Sequence, residues 1–347
     1  MARRPSAGVK RSLLAGIILF LAAVLPATAS RKFVSFDVPG ARLTLATAIN
    51  ASGQVAGTYL GHDSLYHGFL RESDGTITTF EVSSRTLSMS VVGMNASGQI
   101  AGYAYDAFTF SFSFIRESDG TITLITVPYS GATDPTIFGI NDSGEVCGYY
   151  TSSAPLSPDY GFVRNSSGGF TTLHASSITQ AINSNGETTG NILGVRVWYG
   201  FVEDQYGNKT QFLPPSSTTT FSMAINRSGQ AAGYYLDGAS GIDYGFLRTP
   251  DGTIVTFAAP GSGTGTFNGT YAWAMNDRGQ IAGYTILDSG AYQAFLRDAS
   301  GNFTVFSAPN AGTRANTGTQ AFSINASGMI AGYYLDSNEV AHGFLRY

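Results

Sequence analysis

From Phe33 onward the chain is a run of short apolar stretches broken by turns rich in Gly, Asn, Asp and Pro, and no segment sustains a helical period. The pattern recurs. The phrase Asn-Ala-Ser-Gly-Gln at Asn50 has close relatives at Asn95, Asn141, Asn183, Asn226, Asn276 and Asn325, with spacings of 45, 46, 42, 43, 50 and 49 residues. Such a period marks a repeat architecture. Each repeat predicts four strands. The first is an apolar approach such as Ala46 to Asn50, and the second runs from Gln54 to Leu60. The third centres on a phenylalanine (Phe69, Phe114, Phe162, Phe201, Phe246, Phe295, Phe344), and the fourth resembles Thr76 to Phe80. Four strands in each of seven repeats predict an all-β fold, a seven-bladed β-propeller of four-stranded blades forming one domain over residues 30–347.

The last repeat reaches its third strand at His342 to Tyr347 and shows no fourth, whereas Phe33 to Val38 reads as a fourth strand followed by Pro39. The N-terminal strand is therefore expected to complete the last blade and close the ring, leaving no unpaired edge.

The repeated phrase is legible as a hairpin. Its Asn side chain can bond the backbone of the turn, and its Gly, as at Gly53, can take the left-handed conformation of a type I turn with a bulge. A second Gly, as at Gly57, Gly102 and Gly148, lies inside a strand and points to close backbone approach. The apparent glycosylation sequons at Asn50, Asn95, Asn141, Asn226 and Asn325 coincide with this turn, which explains them without a glycan.

Residues 1–29 read as an export signal. Arg3, Arg4, Lys10 and Arg11 precede an apolar run from Leu13 to Leu25, with a small-residue cleavage site at Ala27, Thr28 and Ala29. The run is short for a bilayer span, so a secreted or periplasmic protein without stable membrane insertion is expected. Removing it leaves 15 basic against 23 acidic residues, a formal charge of −8, which argues against a nucleic-acid partner. Charged residues are only 12% of the chain, and 43 glycines with 42 Phe plus Tyr suit a β-rich exported protein. Cys147 stands alone, so no disulfide forms within the chain, and it fills a slot held by alanine in most other repeats. A packed small side chain is expected there, and a monomer overall.

The pairing of Ile-Asn-x-x-Gly-x-x-x-Gly with His-Gly-Phe-Leu, at residues 67–70 and 342–345, resembles the HAF family of extracellular repeats, named for a His-Ala-Phe signature. The resemblance covers nearly the whole chain after residue 29, although only His67 and His342 keep the histidine and Gly usually replaces Ala. It implies a secreted bacterial protein with a repeated β fold and no particular activity.

Candidate chemistry is sparse. No metal-binding motif is present and no cofactor is expected, with a cation in the central channel left open. Arg71, Arg116, Arg164, Arg248, Arg297 and Arg346 recur two residues after the phenylalanine, with Glu203 breaking the series, and suit cross-strand pairing or stacking on an aromatic ring. His62, Asp63 and Ser64 are the residue types of a hydrolase triad, but neighbours in sequence rarely form the relay. Trp198 and Trp273 are expected in the core. The loops between second and third strands and those between blades share one face, where variation can carry function. That face is expected to present Tyr59, Tyr103, Tyr150, Tyr235 and Tyr334 with Asp106, Asp237, Asp288 and Asp336, a set suited to an extracellular glycan or a protein partner. The leading expectation is thus a non-catalytic binding propeller. A polysaccharide hydrolase or lyase, with two acids about 5–10 Å apart in a central pocket, and a structural envelope protein are the alternatives.

Overall fold

A computed structural model describes residues 32–83, 86–106, 111–129, 131–132, 135–152 and 158–347; the export signal expected in residues 1–29 lies outside them. Among the described residues the regular elements are 28 strands. No helix among them is long and apolar enough to cross a membrane.

Each repeat folds into an antiparallel sheet in sequence order. In the first, Leu43–Ile49 pairs with Val55–Leu60, which pairs with Tyr66–Arg71, which pairs with Ile77–Phe80. The repeats at Asn95, Asn141, Asn183, Asn226 and Asn276 follow the same scheme. In the repeat at Asn325, Gly318–Ile324, Ile330–Leu335 and Ala341–Arg346 supply three strands. Phe33–Phe36 pairs antiparallel with the third of these, Phe33 opposite Arg346 and Phe36 opposite Gly343. The N-terminal strand thereby takes the fourth place in a sheet whose other strands lie some 300 residues away in sequence, as Ser35 bonding Tyr334 across 299 residues illustrates.

The repeat phrase builds each hairpin as its chemistry requires. In the first, Gly53 N–H donates to the Asn50 carbonyl, and the Asn50 side-chain oxygen accepts from Gln54 N–H at 3.0 Å. The turn glycines have φ between +71° and +90°, where a Cβ is strained. The second glycine of the phrase sits under the first strand. A Cβ there would lie 1.9–2.3 Å from a carbonyl oxygen of that strand, such as Leu45 O above Gly57.

Two further interactions tie repeat to repeat. The Asn side-chain nitrogen reaches the backbone carbonyl of the next repeat's Asn: Asn95 to Asn141 at 3.1 Å, Asn141 to Asn183 at 2.9 Å, Asn183 to Asn226 at 2.8 Å and Asn276 to Asn325 at 3.0 Å. Asn325 donates in the same way to Asn50, at 3.0 Å. On the outer side, Arg71, Arg116, Arg248, Arg297 and Arg346 lie over Phe36, Phe80, Phe212, Phe257 and Phe306, 4.1–5.3 Å from the ring centroids. Each ring belongs to the fourth strand of the preceding repeat, so the arginine series stacks between repeats. The seven third-strand phenylalanines are fully buried beside these contacts. Cys147 is buried with them, and desolvation raises its thiol well above the ordinary range, leaving it an unreactive packing group.

Deleting residues 32–38 removes Phe36 from beneath Arg71 and bares the edge of Ala341–Arg346. A lower melting temperature and concentration-dependent aggregation are expected, and an unchanged calorimetric melting temperature would contradict this account. Asn183→Ala strips both the turn bonds and the bridge to Asn226 at a buried position. Urea denaturation should show a loss of about 1–3 kcal/mol.

Candidate functional site: a central cavity walled by bulges

The first strand of every repeat touches the first strand of the next, and Gly318–Ile324 touches Leu43–Ile49. These strands enclose a cavity of about 840 Å³. Each first strand skips one residue near its hairpin end in the pairing register with the second strand, namely Thr47, Val92, Phe138, Gln180, Met223, Trp273 and Phe322, and Thr86–Met94 and Ser217–Ile225 skip a second near the other end, Leu87 and Thr218. A bulge residue has no partner of its own and turns off the pleat. All seven near the hairpin end line the cavity. The residue following each is small, namely Ala48, Gly93, Gly139, Ala181, Ala224, Ala274 and Ser323, and these line it too. The wall therefore alternates a variable side chain with a uniformly small one.

Among the described residues aromatic rings reach the wall from every repeat but the fourth. Trp273 meets Phe322 edge-on at 5.2 Å, Phe322 stacks on Tyr333 at 4.9 Å, and Phe221 stacks on Tyr234 at 4.9 Å. Phe138 and Tyr103 add two more rings, 6.5 Å apart. Burial pushes the Tyr234 and Tyr333 phenols up to about 12, so both are neutral and can donate a hydrogen bond at any ordinary pH. The first and second repeats contribute Thr47, Thr58, Ser88 and Ser90 beside Tyr66 and Tyr103, and the fourth contributes Gln180. Among the described residues the lining holds no carboxylate, histidine, lysine or arginine. The acid pair of a glycosidase is thus absent from this wall.

The nine residues expected on the loop face separate. Tyr103 lines the cavity. Tyr59, Tyr150, Tyr235 and Tyr334 point the other way and pack within their own sheets, stacked on His67, Tyr160, Tyr244 and His342 at 5.0–5.8 Å. Tyr150 and Tyr334 bond Thr172 and Ser35 of the fourth strands, each at 2.9 Å. The aspartates hold loops: Asp237 accepts from Ala239 and Ser240 N–H, Asp288 from Thr264 N–H, and Asp336 from Asn338 and Val340 N–H. Asp106 is half-buried at the end of its strand opposite Thr86. Trp273, expected in the core, belongs to the cavity wall because the bulge redirects it. Counting from the repeat asparagine would have separated the tyrosines. Tyr103, Tyr234 and Tyr333 lie eight residues on, whereas Tyr59, Tyr150, Tyr235 and Tyr334 lie nine on, and alternate residues face opposite sides of a strand.

His62, Asp63 and Ser64 form no relay. Asp63 instead approaches Nε2 of His67 at 3.0 Å, while Glu81 contacts its Nδ1. His342 is held similarly, its Nδ1 3.0 Å from both Asp37 oxygens. Within this chain an acid follows the fourth-strand phenylalanine only where the third strand carries histidine, as Phe36-Asp37 and Phe80-Glu81. Burial disfavours charge on His67, but the bonds to Asp63 and Glu81 outweigh it and raise its pKa above the usual value.

No family model and no curated protein matches the sequence. Among solved structures, streptogramin B lyase superposes with a TM-score of 0.57 at 13% identity, over 91% of this chain and 97% of that one. A lectin from Burkholderia pseudomallei, BP39L, gives 0.51 at 11% identity over 88% and 98%. Puromycin hydrolase gives 0.53 at 11% identity over 87% of this chain, which spans 52% of the hydrolase. At these identities the likeness shows the fold, and the fold is of the β-propeller type.

Because the folded pKa of His67 is raised, the stability it contributes is complete below its unfolded value near 6.5 and fades as pH rises through the folded value. Melting temperatures recorded from about pH 5 to 9 should fall over that window in the native protein and fall less in His67→Gln, the residue type found at Gln293. Parallel profiles would remove His67 as the source.

Proposed function

We propose that the chain is an exported, non-catalytic binding protein, a closed seven-bladed propeller that takes a neutral small molecule into its central cavity. Closure is supported by Asn325 donating to the Asn50 carbonyl, by Arg71 over Phe36, and by the N-terminal strand in the last sheet. The observation that carries the binding reading is the contrast along the wall. The scaffold positions of the repeat hold nearly the same residue seven times, yet the bulge position is Thr, Val, Phe, Gln, Met, Trp and Phe in turn, and all seven meet in one space. A ring built only for packing has no need of that asymmetry. Its volume lies within the range of small-molecule sites. The uncharged lining suits a neutral ligand, and rings beside hydroxyls suit one with a flat apolar face and hydrogen-bonding edges, as a sugar ring or an uncharged planar heterocycle has.

Trp273 supplies the test. In Trp198→Phe it is the sole tryptophan, so its emission reports the cavity. Titration with neutral oligosaccharides and, separately, uncharged planar aromatics should give a saturable change with one class and leave the ligand chemically intact. Gln180→Phe places in the fourth repeat the residue that the third and seventh already carry at the bulge, and should weaken binding about tenfold or more by filling the cavity. No response from Trp273 to either class, or equal affinity in Gln180→Phe, defeats the reading; turnover of the ligand would favour an enzyme.

A further inference from the structure

The fourth repeat breaks the arginine series, and the break opens a second cavity. Where the other repeats carry arginine, it carries Glu203, 5% exposed. The carboxylate occupies the guanidinium's place. Arg71, Arg116, Arg164 and Arg297 bring a terminal nitrogen within 3.2–3.5 Å of an ideal Cβ on the turn glycine four residues on, and Glu203 brings Oε1 within 3.9 Å at Gly207. Arg71, Arg116, Arg248 and Arg297 also donate to the carbonyl of the following residue, at 3.2–3.4 Å. Glu203 has no proton to give the corresponding carbonyl of Asp204.

The preceding fourth strand differs too. Leu173 and His174 stand in the region where Phe80, Phe212, Phe257 and Phe306 offer a ring elsewhere. His174 Nε2 lies 2.9 Å from Glu203 Oε2, yet neither atom is aligned for a hydrogen bond. Lys209 faces Glu203 across the strand pair, but among the described residues the only basic side chain within ion-pair distance of Glu203 is His174. Glu203 lines a cavity of about 620 Å³ between the third and fourth repeats, together with Glu145, Asp204, Asn165, Asn185 and Tyr206. Glu145 already accepts from Asn141, and Asp204 accepts from its own turn at Tyr206 and Asn208. Among the described residues the lining contains no lysine or arginine. Desolvation raises the Glu203 carboxyl above its usual range, with His174 and, more weakly, Lys209 opposing.

We propose that this groove binds a guanidinium group supplied from outside the chain, such as a free small guanidine or an arginine side chain of a peptide, with Glu203 as its anchor. The fold already holds guanidinium at the equivalent place in other repeats, where it faces a carbonyl at the turn. Here the carbonyl remains, the cation is missing, and a carboxylate takes its position, with Oε2 beside His174 and Oε1 directed toward Gly207 as the acceptor for a charge-assisted N–H bond. Phe212, Phe257 and their counterparts show that the slot between repeats accommodates the planar fork.

Agmatine, the tripeptide Gly-Arg-Gly and cadaverine, titrated separately into the full chain by calorimetry and by amide chemical shifts, test the idea. Agmatine or the tripeptide should bind saturably, with shifts at residues 203–207, and cadaverine should bind more weakly. Preference for agmatine over the tripeptide would identify a small guanidine, and the reverse a peptide. Glu203→Gln should weaken binding about tenfold or more by removing the charge. Glu203→Arg restores the repeat's own residue and should abolish binding while the melting temperature stays at or above that of the native chain. It keeps the test decisive should Glu203→Gln fold poorly. Absence of binding at millimolar concentration, tighter binding of cadaverine, or unchanged affinity in Glu203→Arg overturns the proposal.

Discussion

The fold depends on what the buried asparagine amide of each repeat does with its two ends. The oxygen holds the hairpin to which it belongs, and in Asn95, Asn141, Asn183, Asn276 and Asn325 the nitrogen holds the backbone of the next repeat at 2.8–3.1 Å. At 3–5% exposure these groups cannot turn to water, so a partner lost inside the protein is not replaced. Local turn and inter-repeat spacing are thereby set by one side chain. Shifting one repeat against its neighbour would unmake the bridge as well as the packing, which is why sheets whose loops vary in length keep the same register at their inner ends.

The arginine stack does the same at the outer side with different chemistry. A guanidinium over a ring keeps its attraction when partly desolvated and leaves N–H groups free to reach the adjacent carbonyl. Because each ring comes from the preceding repeat, the contact joins units that the chain connects only through loops. The pair Arg71 and Phe36 extends it from the first repeat to the strand that completes the sheet of the last. Glu203 shows how local the requirement is. Among the described residues two interfaces do without the stack, at Arg164, where the preceding fourth strand carries Ile125, and at Glu203, and the asparagine bridges from Asn95 to Asn141 and from Asn141 to Asn183 remain at 3.1 and 2.9 Å.

With spacing secured at both ends, the middle of each first strand is released from structural duty. The bulge uses that freedom. It places one side chain per repeat into the shared space without disturbing the ladder on either side, and the small residue after it leaves room. Identity between repeats makes the scaffold, and difference between repeats makes the cavity. The same logic marks the histidine pairs at His67 and His342, where the third-strand residue and the acid after the fourth strand vary together.

Much of this was legible in the chain. The number of repeats, the hairpins, the strand order, the burial of Cys147 and the stacking of the arginines follow from short-range chemistry: which residues permit a left-handed turn, which alternate along a strand, and which recur at a fixed distance. The wall of the cavity was not, because a bulge inserts one residue into a strand without changing the composition of its neighbourhood. It reverses which side the next residues face, so Trp273 lines the cavity while the pattern places it in a core. The opposite faces of Tyr103 and Tyr59 turn on a single step of register. Nor does sequence show that Asp237, Asp288 and Asp336 would hold their own loops, since a carboxylate's partners are chosen by backbone N–H groups whose directions exist only after folding. Repetition along the chain determined the scaffold; which side chains converge was decided by strand pairing, where one skipped residue changes the side that a wall presents.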